Sequence, residues 1–486
     1  NTIRSMKLAN PSSTSTRTLY FTGTQTISSG GILYPTDAAA GYTIASPITS
    51  ATSASAATSS STTLALSSGF VGGIYVGMGI TGTGIPASTT VTAISGLNLT
   101  LSAAASVAAS TSLTLSGGTT ATLVPGAGKE LVILVGSSST SYSLTMSGVV
   151  LGDSASGASS VTYRGLNQAV GRSMVVVGAA NTYTGDTYIS GARVYNNTTG
   201  TAVFGPNSSQ NVYIFGNNGG QFLKGTASTS TETKNWYVIG SGWSESTSGT
   251  YYGAVRIEGG TIAGTFNLLG DAAIGNSSTT ASTLSANLVG NYALERRGQG
   301  QITISGTNTT WSGSYNLTNG LTIFGSAAAY GTPTSVSLGS SATIAIGFAS
   351  GLDLKTGLID KVTPGSSGTI ALLTAAASQN VDFRGANAAS LYLGAKDAMT
   401  YGGTYYPNVQ NGVANYRFAG AAAAFTYAGA ITGNSTVTIG GGYGGSGGNG
   451  NTVILTGANT YTGGTTLASA QNGNYLQVGA GTTPYS

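Results

Sequence analysis

The chain has 486 residues; only 6% are charged and 40% hydrophobic, and 17 Lys and Arg against 13 Asp and Glu give a net charge of +4. That balance excludes disorder driven by charge repulsion, and without a basic run beyond "ERR" at 295–297 there is no electrostatic footprint for nucleic acid. The sequence contains no Cys and no His, which removes disulfides, thiolate and imidazole metal ligands, and the histidine general base.

The sequence opens on "NTIRSMKLANPS", strand-like and without an initiator Met or signal peptide, so it reads as a processed or partial chain. From residue 50 comes a low-complexity stretch, "SATSASAATSSSTTLALSS", followed by "VGMGITGTGIPASTTVTAISGLNLTLSAAA" at 76–105. The latter resembles a small β module of bacterial and phage surface proteins with the recurring form "VGMxVTGTGIPxGTTVxxISG". Residues 50–118 are therefore read as a small inserted β domain.

Beyond it, short segments alternate in polarity and close on Gly, Asn or Ser: "TLVPGAGKELVILVG" (122–136), "SYSLTMSGVVLG" (141–152), "NVYIFG" (211–216), "AVRIEGGTIAGTFNLLG" (254–270), "QITISG" (301–306) and "TVILTG" (452–457). This is the signature of strands and turns. Flanking Gly and Thr argue against a helix at "GAAAAF" (420–425), and "GGGYGGSGGNG" (440–450) reads as a flexible loop. No apolar run approaches the roughly 18 residues that a membrane-spanning helix needs.

Motifs that promise chemistry are weak. "VPGAGKE" (124–130) has Leu123 where a phosphate-binding loop needs its first Gly and Glu130 where it needs Ser or Thr, and a strand follows instead of a helix. "GMGITGTG" (77–84) lacks a βαβ context. The thirteen acids are scattered, with no D-x-D calcium motif, although stacked coils bring distant residues together and leave a carboxylate pair conceivable. "NWYVIGSGW" (235–243) is either a sugar-stacking platform or, by preference, core aromatics. No catalytic, cofactor-binding or metal-binding residue is assigned.

One phrase recurs: "AANTYTGDTYI" (179–189), "GTNTTWSGSYNL" (306–317) and "GANTYTGGTTL" (457–467). It resembles the autotransporter-associated β-strand repeat, also called the passenger-associated transport repeat. The copies, at about 175–194, 296–325 and 453–479, match it through Asn181, Tyr183, Gly185 and Thr187; through Asn308, Trp311 and Gly313; and through Asn459, Tyr461, Gly463 and Thr465. Trp311 stands in place of Tyr, with one extra residue before it. The resemblance implies a secreted right-handed parallel β-helix (a β-solenoid) at the bacterial surface and does not imply an enzyme. No segment here reads as the membrane β-barrel usual in that family.

The expected architecture is thus all-β: strands beginning the solenoid at 1–49, the insert at 50–118 and the β-helix at 119–486. Coils of roughly 20–25 residues stacked at about 4.8 Å would give roughly 16–20 coils and a rod some 80–95 Å long. Asn ladders and left-handed Gly are expected at its corners. The leading functional expectation is an extracellular structural protein that self-associates through its ends as a fibre, sheath or stalk. Two alternatives stand beside it: an adhesin-type passenger binding glycans or cell-surface polymers, and a β-helical polysaccharide-degrading enzyme, disfavoured by the absent His.

Overall fold

Apolar residues at every second position make the strands and orient them. Leu131–Val135 buries Leu131, Ile133 and Val135 and half-exposes the residues between, because successive side chains of a strand point to opposite faces. The computed structural model describes residues 1–8, 15–35, 40–67, 73–136, 142–166, 173–199, 203–245, 249–347, 352–441, 451–468 and 474–479. The expected loop at 440–450 lies almost wholly outside them. The α-helices among the described residues are two four-residue turns, Ala327–Tyr330 and Leu354–Gly357; "GAAAAF" is not helical. The fold is all-β. The chain divides into two units, one formed by Asn1–Tyr188 with Thr201–Asn207, the other by Ile189–Gly200 with Ser208–Ser486.

In the first unit the chain visits three columns of parallel strands in the same order, four times. The first round is β1 (Thr2–Ile3), β2 (Met6–Lys7) and β3 (Arg17–Tyr20); the second is β4 (Thr24–Ile27), β5 (Gly31–Tyr34) and β6 (Tyr42–Ala45). Between the second and third rounds the chain leaves to form β7 (Ser50–Thr52), β8 (Thr58–Ala65), β9 (Gly79–Thr81), β10 (Val91–Ser95), β11 (Asn98–Val107) and β12 (Ser112–Ser116). It then returns as β13 (Thr122–Pro125), β14 (Leu131–Val135) and β15 (Leu144–Ser147), and as β16 (Val150–Leu151), β17 (Val161–Gly165) and β18 (Met174–Val177). The columns run β1-β4-β13-β16, β2-β5-β14-β17 and β3-β6-β15-β18, all parallel. Inward residues stack in register: Ile32, Ile133 and Tyr163 in one column, Ile44, Met146 and Val177 in another.

The excursion differs in kind from the columns it interrupts. Its strands form two antiparallel sheets, β10-β11-β8 and β7-β12-β9, around a core of their own that includes Leu64, Ile80, Leu99, Val107 and Leu113. Its ends are tied together. Ser46 Oγ donates to the Gly148 carbonyl at 2.6 Å and accepts from the Ala121 N–H at 2.8 Å, and Thr22 and Thr119 hydroxyls meet at 2.9 Å. Thr24 therefore pairs with Thr122 as though nothing lay between. The glycines of "GMGITGTG" serve this module. Gly84 has φ +87°, and a Cβ there would strike the Ser106 carbonyl.

After β19 (Thr187–Ser190), the second unit continues with β20 (Arg193–Asn196), β21 (Asn211–Phe215), β22 (Gln221–Lys224), β23 (Thr231–Gly240), β24 (Val255–Ile257) and β25 (Thr261–Gly275). Parallel register again stacks like on like. Val212, Trp236, Phe266 and Leu288 are successive partners. So are Ile262, Leu284, Ile304, Phe324, Ile346 and Leu372. At the head of that apolar series, paired with Ile262, stands the buried Glu232.

Candidate functional site

Each copy of the repeated phrase is a clamp between coils. Asn181 is 4% exposed; its Oδ1 accepts from the Leu151 N–H at 2.8 Å, and its Nδ2 donates to the Val203 carbonyl at 2.7 Å. Asn308 is fully buried and does the same with Leu288 N–H and the Ala329 carbonyl, both at 2.7 Å. In the third copy Asn459 Oδ1 accepts from the Ile431 N–H at 3.0 Å. These partners lie 20 to 30 residues back and 21 or 22 forward, one coil in each direction. The expected ladder of stacked asparagines is absent from the motif. An amide has one acceptor and one donor side, and here both are spent on backbone. Asn and Thr do stack elsewhere, with Asn211, Asn235 and Thr265 in register and bonded through their side chains.

The aromatic position braces the turn. Tyr183 is buried and its hydroxyl meets Thr187 Oγ1 at 2.6 Å; Tyr461 and Thr465 repeat the bond at 2.5 Å in an exposed setting. In the middle copy Trp311 replaces the first partner and Tyr315 the second. The rings lie 4.6 Å apart, and Tyr315 donates to the Tyr330 carbonyl at 3.0 Å. The extra residue is absorbed by a turn in which Trp311 N–H donates to the Asn308 carbonyl. Left-handed backbone is not what the motif glycines supply. Gly185, Gly313 and Gly463 have no positive φ, but a Cβ on each would run into Ser159, Tyr292 and Ser435 of the coil behind.

Of the aromatics of "NWYVIGSGW" the two tryptophans sit inside, while Tyr237 is half-buried on the outer face, stacked 4.7 Å from Tyr213. Trp236 is fully buried and donates its Nε1–H to the Ala263 carbonyl at 2.9 Å; Trp243 is 5% exposed beneath the Arg193 guanidinium, 4.7 Å from its carbon. Arg193 begins a row of charges. It bonds Glu245, which accepts from Arg256 at 3.0 Å, which bonds Glu258 at 2.5 Å. Arg256 also lies over Tyr252 and Arg297 over Tyr251. Glu245 and Glu258 are thus two scattered acids that converge. The guanidinium between them occupies both, whereas a hydrolase pair needs one carboxyl free to hold a proton.

A second polar group lies deeper. Lys224, Glu232, Lys234 and Asn196 are all buried. Lys224 Nζ donates to Ser228 and Ser230 Oγ at 2.7 Å each, Asn196 Nδ2 donates to Glu232 Oε1 at 3.4 Å, and Lys234 Nζ donates to Gln210 Oε1 at 3.5 Å. Burial lowers the Lys224 pKa to about 8, opposed by the Glu232 charge. Parity in the sequence could have flagged this group, because Glu232 and Lys234 share the inward phase of Trp236 and Val238.

Among the described residues no three acids gather into a metal site, and no helix is long and apolar enough to cross a membrane. Comparison of the chain with protein-family models, curated proteins and solved structures returns no match.

Proposed function

We propose that the chain is a right-handed parallel β-helix of the autotransporter-associated repeat type. On this reading it is a non-enzymatic extracellular subunit of a bacterial surface fibre, sheath or stalk. The observation that carries the reading is the clamp: Asn181 and Asn308 direct both polar atoms of their side chains to neighbouring coils. A motif so engaged joins each coil to its neighbours. Right-handedness is what parallel crossovers of L-residues favour.

Assembly is supported by edges. Thr465–Leu467 pairs with Ser435–Ile439 and Asn474–Val478 with Asn451–Leu455, while Leu467, Tyr475 and Val478 are 56%, 41% and 60% exposed. Among the described residues neither strand pairs with a second strand, and a strand so placed with apolar side chains exposed accepts another strand. Negative-stain microscopy of the purified protein tests this. Filaments are expected, and removal of residues 1–20 should abolish them while the circular dichroism stays β-rich. Isolated particles from the intact chain at all concentrations would refute the assembly reading. For the adhesin alternative Trp236, Trp243 and Trp311 are buried, which leaves the half-exposed Tyr213–Tyr237 stack as the aromatic surface of that stretch.

A further inference from the structure

The buried Lys224 group takes no part in the repeat clamps or the arginine row, and its geometry suits a reaction within the chain. Asn196 and Lys224 are direct partners across β20 and β22, and both are 0% exposed. Their side chains thus start from backbones about 4.8 Å apart and enter the same interior. The Asn196 amide is held from both sides. Its Oδ1 accepts from Thr198 N–H at 3.1 Å and Thr198 Oγ1 at 2.8 Å, and its Nδ2 donates to Glu232 Oε1. Two donors on a carbonyl oxygen are the means by which a tetrahedral oxyanion is stabilised, and a carboxylate at the amide nitrogen stands where the leaving group must gain a proton.

We propose that Lys224 and Asn196 close an intramolecular isopeptide bond, with Glu232 relaying the proton and Thr198 holding the oxyanion. The neutral Lys224 Nζ adds its lone pair to Asn196 Cγ, and the carbonyl electrons move onto Oδ1. Glu232 takes a proton from the attacking nitrogen and delivers it to Nδ2. The C–Nδ2 bond then breaks, the carbonyl re-forms and ammonia departs. One amide replaces another, nothing is oxidised or reduced, and Glu232 ends in the state in which it began. Burial favours the uncharged amine that the step requires, and fixed proximity replaces an external catalyst. Lys234 is not the nucleophile, because its partner across β23 and β25 is Gly264.

Mass spectrometry of the intact, purified chain tests the bond. The expected mass is one ammonia below that of the sequence, and a protease digest should yield a branched peptide joining the segment bearing Asn196 to the segment bearing Lys224. Recovery of both segments unlinked at full mass would overturn the proposal, as would an ammonia loss mapped to any other pair. Glu232→Gln is expected to give unlinked protein with unchanged circular dichroism; a branched peptide in that variant would remove Glu232 from the mechanism. The wild-type digest decides the bond itself, whether or not the variant folds.

Discussion

A single amide ties three coils together at Asn308, so its removal strands a buried N–H on Leu288 and a buried carbonyl on Ala329. Asn308→Ala should cost about 1–3 kcal/mol for each stranded group, seen as a lower midpoint in denaturant unfolding. Asn459→Ala, at a partly exposed position whose side chain makes one bond among the described residues, should cost well under half as much. Equal losses at the two sites would show that the coil-to-coil bonds are not the source of stability. The glycines divide in the same way. Gly313→Ala drives a methyl into the Tyr292 carbonyl and the Trp311 ring, whereas Gly464 has nothing within 4 Å of its would-be Cβ. The first change should destabilise by about 1–3 kcal/mol through overpacking, and the second should be neutral or stabilising by up to about 1 kcal/mol; thermal melts of the two variants compare them directly.

At the scale of elements, β7–β12 can be removed without disturbing the register of the columns, since Thr24 already faces Thr122. Replacing residues 48–117 by a short polar turn should leave the remaining chain with a cooperative unfolding transition and a β-type circular dichroism spectrum. Loss of that transition would mean that the module's own core supports the columns. An inserted module at 50–118 was suggested by the resemblance that "VGMGITGTGIP" carries, and the strands were legible through alternation. The columns themselves were not. Which strand lies on which depends on loop lengths that vary from coil to coil, and the partners of Asn181 sit 30 residues before and 22 after. The expected left-handed glycines are present, Gly30, Gly191 and Gly260 among them, while Gly185, Gly313 and Gly463 of the motif answer to close approach; both demands select Gly, and only the neighbouring coil distinguishes them. The Lys224 group was overlooked because the acids were weighed only as scattered residues and the lysines not at all, although the alternation of "TETKNWYVIG" places two charges inward.

For the molecule as a whole, interactions are mainly between neighbouring coils, so perturbations should stay local. In hydrogen–deuterium exchange, Asn308→Ala is expected to raise exchange around 288–329 and to leave the segment around Asn181 as protected as before; uniform deprotection would count against nearest-neighbour coupling. Alkaline conditions act on many sites together. Tyr34, Tyr163, Tyr330, Tyr401 and Tyr405 all have hydroxyl pKa values raised by burial above the ordinary 10.0. The fold therefore keeps protons that the unfolded chain releases once pH passes 10, so the tyrosines make stability fall above that value, whereas Lys234, whose amine burial holds below the ordinary 10.5, makes it rise with pH up to about there. Unfolding midpoints measured across pH 8 to about 12 give the slope; a midpoint that held constant there would contradict the burial of these hydroxyls.

The tie at Ser46, Gly148 and Ala121 also bears on how the chain finds its fold. With the module unfolded, pairing β6 with β15 would require closing a loop 102 residues long, as the Ser46–Gly148 bond spans, and such distant contacts form slowly. The module's pairings run from the local Ser95–Asn98 hairpin to Ser112–Thr52, all of shorter span than Ser46–Gly148, so it can collapse first around Leu64, Ile80 and Leu99. Once it has, Ser46 and Ala121 are held side by side, and the search that remains is that of an ordinary coil. The excursion acts as its own splint: the longest detour in the chain becomes kinetically short before the columns begin to assemble.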